Sequence, residues 1–331
     1  MFLQKIKTVI VLIGVLYMST ALSSNNNFTD IKKPNFTIEF SAIKVGVEIR
    51  INDIPAFTLD NTGFMTLEIP IGEYIINGNN TISVITFPTF DDEDEQSNNY
   101  VEGSNIEVAV YVRESGTSKE NRQLINKVLI TPNNAYLKDK NNEAAIYLEN
   151  TKNNNPIKIS KDDTVLNYPV YGNYKKQVVS TWTINNIQTT YPLWEWQKGK
   201  EIPNSDEIYQ ALVKSYTELH TAFKNKDLSL IKKISKSRSK ELSLAYHLKD
   251  EEAGFEYSAL GKDIDHPTIK LYEHVYLDDT KFDIFGNGKL ARIMDGGQNH
   301  PVVFMDKITE QLYQPQFIWY LNQNNEWVLI R

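Results

Sequence analysis

Apolar and polar residues alternate along the first half of the chain. Only in the last third does a helical period take over. Phe36-Thr-Ile-Glu-Phe40, Val45-Gly-Val-Glu-Ile-Arg-Ile51, Phe64-Met-Thr-Leu-Glu-Ile69, Thr81-Ile-Ser-Val-Ile-Thr-Phe87 and Ile106-Glu-Val-Ala-Val-Tyr-Val112 each repeat every second residue, the period of a half-buried strand. Weaker runs lie at 128–130, 145–148 and 177–183. Asn52-Asp53, Pro70 and Asn77-Gly-Asn-Asn80 punctuate the series. Short strands separated by turn residues predict a β-sandwich over residues 25–200.

The pattern changes at Pro203-Asn-Ser205. Ser205 or Asn204 is placed to cap a helix over 205–224, with Asp206 and Glu207 in its first turn. Ile208, Leu212, Tyr216, Leu219 and Phe223 share one apolar stripe about 80° wide, with His220 on its flank. A second helix is predicted over 227–249, capped by Asp227, and a short one near 257–260. Strands are predicted over 270–277, 281–285, 290–294, 302–306, 316–321 and 327–330. Gly286-Asn-Gly-Lys289 and Asn322-Gln-Asn-Asn325 read as hairpin turns. The expected class is therefore α+β: an all-β sandwich followed, over 201–331, by helices packed on a curved antiparallel sheet.

The N-terminus carries a compartment signal. Met1-Phe-Leu-Gln-Lys-Ile-Lys7 is basic, the eleven positions from Thr8 to Met18 are mostly apolar, and Ala21-Leu-Ser23 fits a processing site. This predicts a signal peptide over 1–24. The apolar run is shorter than the roughly 18–20 residues of a membrane span. The expected location is the periplasm or beyond, with no span after cleavage. With no cysteine, neither disulfides nor a cysteine-linked lipid anchor can form. The net charge of −7 becomes more negative once Lys5 and Lys7 are removed, which disfavours nucleic acid as a partner.

Candidate chemistry is sparse. Asp91-Asp-Glu-Asp-Glu95 reads as a solvated acidic loop or, less simply, as a calcium site. Residues 133–155, rich in Asn and Lys, read as a loop with one strand inside it. Trp194 and Trp196 fall on one side of a segment taken as extended. With Trp182 they would form either a stacking platform for a sugar ring or packing where the two regions meet. Arg238 falls in the apolar stripe of the second helix. It is expected to face an anion from a pocket floor, to pair with Glu241, or to turn outward at a break near Ser235–Ser239. Tyr272, His274 and Tyr276 share a face of a predicted strand, either lining a pocket or meeting a partner. Asp283, Arg292 and Asp295 are further acid or base candidates. His220, His247, His266, His274 and His300 show no His-x-x-x-His spacing, and no Gly-x-Ser-x-Gly elbow occurs. No catalytic residue, metal or cofactor is assigned.

Two resemblances add to this reading. Val47-Glu-Ile-Arg-Ile-Asn-Asp53 with Asn77-Gly-Asn-Asn-Thr-Ile-Ser-Val84 resembles jelly-roll accessory domains, some of which bind carbohydrate. Tyr216-Thr-Glu-Leu-His-Thr-Ala-Phe-Lys-Asn-Lys-Asp-Leu228 and Phe317-Ile-Trp-Tyr-Leu-Asn-Gln-Asn-Asn-Glu-Trp-Val-Leu-Ile330 resemble the helix junction and last hairpin of the NTF2-like (SnoaL, ketosteroid-isomerase-like) family. That resemblance implies a cone-shaped α+β domain in a family of enzymes, binding modules and assembly domains alike. The expected function is a non-enzymatic interaction protein with a protein partner, in the manner of an immunity protein that neutralises an envelope-targeted toxin. The alternatives are a glycan or peptidoglycan binder using the tryptophans, and a small-ligand binder or enzyme using the cone.

Overall fold

A computed structural model describes residues 31–59, 63–89, 100–132, 146–148, 158–160, 178–262, 266–278, 280–294 and 299–331. The predicted leader, the acidic run 91–95, Asp295 and most of 133–155 lie outside the described residues.

The chain is a mixed α+β protein built on antiparallel sheets. Its first half forms two five-stranded sheets. One runs β4(Phe64–Pro70)-β1(Pro34–Ile43)-β6(Asn105–Glu114)-β7(Gln123–Ile130)-β8(Ile146–Leu148). The other runs β3(Ile54–Leu59)-β2(Gly46–Ile51)-β5(Gly78–Phe87)-β10(Val178–Ile187)-β9(Lys158–Ser160). Alternation sets the inward rows. Phe36, Ile38 and Phe40 of β1 and Ile106, Val108, Val110 and Val112 of β6 share a core with Val47, Ile49 and Ile51 of β2. Asn52 and Asp53 turn the chain from β2 to β3 at positive φ, which short polar side chains tolerate. The Asn52 amide donates to the Tyr74 carbonyl and to the Asn80 side chain, both at 2.8 Å. The Asn-rich pattern that resembles accessory domains thus closes a turn.

In the second half, α1(Asp206–Lys224) is capped by Ser205 and buries Leu212, Tyr216, Leu219 and Phe223. The predicted helix over 227–249 is instead two, α2(Leu228–Ile234) and α3(Lys236–Ala245), broken at Ser235. Ser235 and Ser239 each turn their hydroxyl back onto the carbonyl four residues earlier, a habit that bends helices. α4(Glu251–Tyr257) replaces the helix expected near 257–260. It crosses α3 so closely that a Cβ on Gly254 would meet the Ser239 carbonyl oxygen at 2.0 Å.

The single curved sheet expected here is two sheets among the described residues. One is β11(Ile269–Leu271)-β14(Phe304–Asp306)-β15(Leu312–Tyr313). The other is β12(Lys281–Phe285)-β13(Leu290–Met294)-β16(Trp319–Leu321)-β17(Trp327–Leu329). Tyr216, Leu219, Phe223, Ile293, Phe304, Phe317 and Trp319 pack together between α1 and these sheets. The Tyr216 hydroxyl donates to the Phe317 carbonyl at 2.7 Å.

The halves share a core as well as a chain. Leu242, Ala245, Phe285, Leu290, Ile318, Tyr320 and Ile330 join the cluster that fills the first two sheets. β2 shows the consequence, for every one of its residues is buried. Its Glu48 and Arg50 face the second half, where a one-sided strand would have put them in water.

Candidate functional site

The residues singled out from sequence divide between an interior junction and an exposed groove. Trp194 and Trp196 belong to the junction, and Trp182, opposite Ile82 on β5, belongs to the core between the first two sheets. Trp182, Trp194 and Trp196 are buried. Residues 195–198 form a 3-10 turn, so the alternation that placed Trp194 and Trp196 side by side does not apply. The Trp194 indole donates to the Ile75 carbonyl at 2.8 Å, and its ring lies 5.3 Å from Tyr191. None of the three presents a face to a sugar, so the stacking platform is corrected to packing.

Arg238 is half-buried. Its expected partner Glu241 pairs instead with Arg331 at 2.6 Å and accepts from the Glu195 backbone at 2.9 Å. Arg331 also donates to the Glu73 carbonyl, and the Glu73 carboxylate accepts from the Tyr246 hydroxyl. Burial pushes the Glu73 and Glu241 carboxyls above the usual range against the pull of Arg331. Burial pulls the Arg238 guanidinium down, with Tyr74 and Glu73 opposing, and its Nε and Nη1 have no hydrogen-bond partner among the described residues. Arg238 therefore sits beside a buried ionic cluster and lines none of the clefts described below.

Asp283 and Arg292, weighed as acid and base, form a second buried cluster. They are opposite one another on β12 and β13 and pair at 2.7 Å. Arg292 also lies 3.7 Å from Glu48, which pairs with Arg50. The ring of Phe285 sits 5.9 Å from the Arg50 guanidinium and 5.5 Å from that of Arg292. Arg292, Arg50 and Glu48 span the two halves, and neither Asp283 nor Arg292 lines the clefts described below.

Tyr272, His274 and Tyr276 are the predicted residues the structure does gather at the surface. The strand expected over 270–277 ends at Leu271. Beyond it, Tyr272 donates to the Val303 carbonyl and Tyr276 to the Pro301 carbonyl, each at 2.9 Å. The ladder has already ended at Leu271 and Phe304, and Pro301 has no N–H with which to resume it. The irregular segment 272–278 lines an open groove of about 640 Å³ together with Asn299, Val303, Leu312 and Gln314. Tyr272 is 45% and Tyr276 43% exposed, and Leu312, Tyr313 and Ile308 nearby are more so. Glu273 and Asp278 supply carboxylates at the rim.

His220, read from sequence as a flanking residue, is the anchor that reading missed. It is buried, and its Nε2–H donates to the Tyr272 carbonyl at 2.9 Å. A carbonyl only accepts, which fixes the tautomer. Burial lowers the imidazole pKa, opposed by the bond to Tyr272. The available signal was its place beside the α1 stripe. The groove thus has a rigid floor, exposed tyrosines and acidic edges, an arrangement suited to holding a surface. Among the described residues no three His, Asp or Glu side chains converge as a metal site, and no helix is long and apolar enough to cross a membrane.

Compared with known proteins, the chain matches no family model, no curated protein and no solved structure.

Proposed function

We propose that this is an exported, non-enzymatic interaction protein that holds a protein partner in the groove of Tyr272, His274 and Tyr276. The observation that carries the reading is a contrast in exposure. Trp182, Trp194 and Trp196 are buried, while the two tyrosines and Leu312 stand out around one cleft. Tyrosine is favoured at protein interfaces because it offers apolar area with a polar tip. The basic, then apolar, leader-like start supports residence in the periplasm or beyond. Neutralisation of a toxin delivered to the envelope is the role we favour.

In fold, we read the first half as a jelly-roll-like β-sandwich and the second as an NTF2-like domain with a filled interior. Two facing sheets around one core support the first part. Helices packed on antiparallel sheets, closed by the β16–β17 hairpin, support the second.

The test is capture from an envelope and secreted-protein extract of the source organism, with the exported chain and its Tyr272→Ala/Tyr276→Ala variant as parallel baits. The expected result is one stoichiometric protein held by the first bait and lost from the second. Equal retention by both, or recovery of a glycan in place of a protein, overturns the proposal.

A further inference from the structure

The face that carries the groove is electrically divided. On the other side of Tyr272 and Glu273 lies a second cleft of about 590 Å³, and those two residues border both. The second cleft is lined by Lys224 and Lys226 at the end of α1, Lys270 on β11, Lys307 after β14, and His266. In a chain of net charge −7, four lysines around one cleft form a local reversal of sign. Lys224, Lys270, Lys307, Glu273 and Asp278 are exposed and, among the described residues, have no ion-pair partner. Exposed apolar side chains line the groove on the same face: Tyr272, Tyr276 and Leu312.

A patch that is acidic on one side and basic on the other complements itself when a copy is rotated by half a turn. The acidic side of each then meets the basic side of the other, and every contact occurs twice. We infer that this face pairs with a second copy of the chain in a two-fold dimer. Asp278 of each copy lies toward Lys224, Lys270 and Lys307 of the other, with Tyr272 and Glu273, which border both clefts, near the axis. The inference rests on reading this face as a protein interface. A foreign partner would then bind by displacing the second copy.

Sedimentation of the purified exported chain, with no partner present, tests it. The wild type is expected to dimerise, with a Kd that weakens at least tenfold as salt rises from about 0.05 to about 0.5 M and exposed charges are screened. Glu273→Lys/Asp278→Lys makes the whole face basic, and Lys270→Glu/Lys307→Glu makes it acidic. Each variant alone should be monomeric, and an equimolar mixture should recover the dimer. Unchanged fluorescence from the buried tryptophans shows that both are folded, and the milder Glu273→Gln and Lys270→Gln substitutions replace any variant that is not. A monomeric wild type, variants that dimerise like wild type, or a mixture that stays monomeric each overturns the inference. Self-association is read without a partner, and capture is read without regard to self-association, so failure of one is distinct from failure of the other.

Discussion

At the junction Glu48, Arg50, Asp283 and Arg292 are buried, as are Trp194 and Trp196, whereas in the groove Tyr272, Tyr276, Glu273 and Asp278 stand at the surface. Both places combine aromatic rings with charged groups. In the first, each of these four charges has an opposite charge within 4 Å. In the second, Glu273 and Asp278 have none among the described residues. Desolvation explains the difference, because a charge taken out of water costs several kcal/mol unless it is paired, while an exposed one stays hydrated. The chemistry of a side chain therefore does not mark it as a ligand here. Whether the fold has already used it does.

The largest effect should come from breaking the junction. Arg292→Met leaves Asp283 without its partner and removes one charge from beside Glu48. Stranding a buried charge costs about 3–5 kcal/mol. Urea unfolding of the variant should show a loss of that order. A loss below about 1 kcal/mol would mean that water reaches the cluster and that the two places are not distinct in kind.

His220 comes next, because it is a buried group serving the exposed site. His220→Leu removes the donor to the Tyr272 carbonyl, and an unsatisfied buried polar group costs about 1–3 kcal/mol. Faster hydrogen exchange at the Tyr272 and Tyr276 amides should locate the damage. The wild type should also respond to pH. Burial lowers the imidazole pKa in the fold, so below about 6.5 the unfolded chain takes up a proton that the folded chain resists. The stabilising contribution is present above that pH and shrinks as pH falls. His220→Leu should remove this slope, and an unchanged slope would assign it to other groups.

These cases show how much could be read from sequence. Alternation placed β1 and β6 correctly because each has one wet face. It misjudged β2, whose second face is covered by Arg292 and Phe285 from more than two hundred positions away. The α1 stripe and its Ser205 cap were legible because both are local. The break at Ser235 was legible only as one alternative among three for Arg238, since it depends on two hydroxyls choosing carbonyls over solvent. Arg238 and Glu241 looked like a pair at helical spacing, yet Arg331, ninety residues on, takes Glu241. The groove residues were named for a shared strand face. They meet without one, because the ladder ends at Leu271 and Phe304 and His220 takes the next carbonyl, that of Tyr272.

An exposed ion network on the outer face of the first sheet offers an intermediate case. Glu39 lies 2.9 Å from both Arg122 and Lys119, and Glu68 lies 2.6 Å from Lys119 and 3.1 Å from Arg122. The Arg122 hydrogen bond holds Glu39 below the usual carboxylate range against partial burial. Burial opposes the same shift in Glu68, but its bonds to Lys119 and Thr37 prevail. Stability from these groups is present above pH of about 4.5 and is lost as pH falls through their lowered values. Glu39→Gln should cost about 1 kcal/mol or less at neutral pH, the range of solvated pairs, and should lessen the loss of stability in acid. A cost matching that of Arg292→Met would erase the distinction drawn from burial.

The smallest effect on stability should come from Tyr276→Ser in the groove. Tyr276 is 43% exposed, and its backbone N–H, which a serine keeps, makes the bond to Pro301. Exposed substitutions of this kind stay within about 0.5 kcal/mol, so urea midpoint and tryptophan fluorescence should match the wild type. Partner capture and self-association should nevertheless both weaken, because each relies on the same apolar contact. A variant that lost 2 kcal/mol or more would make Tyr276 part of the core, in the manner of Trp194. A variant that kept both stability and association would leave the groove with no more claim to a partner than any other wet surface. Only intact folding with lost association separates a side chain held in reserve for binding from one spent on the fold.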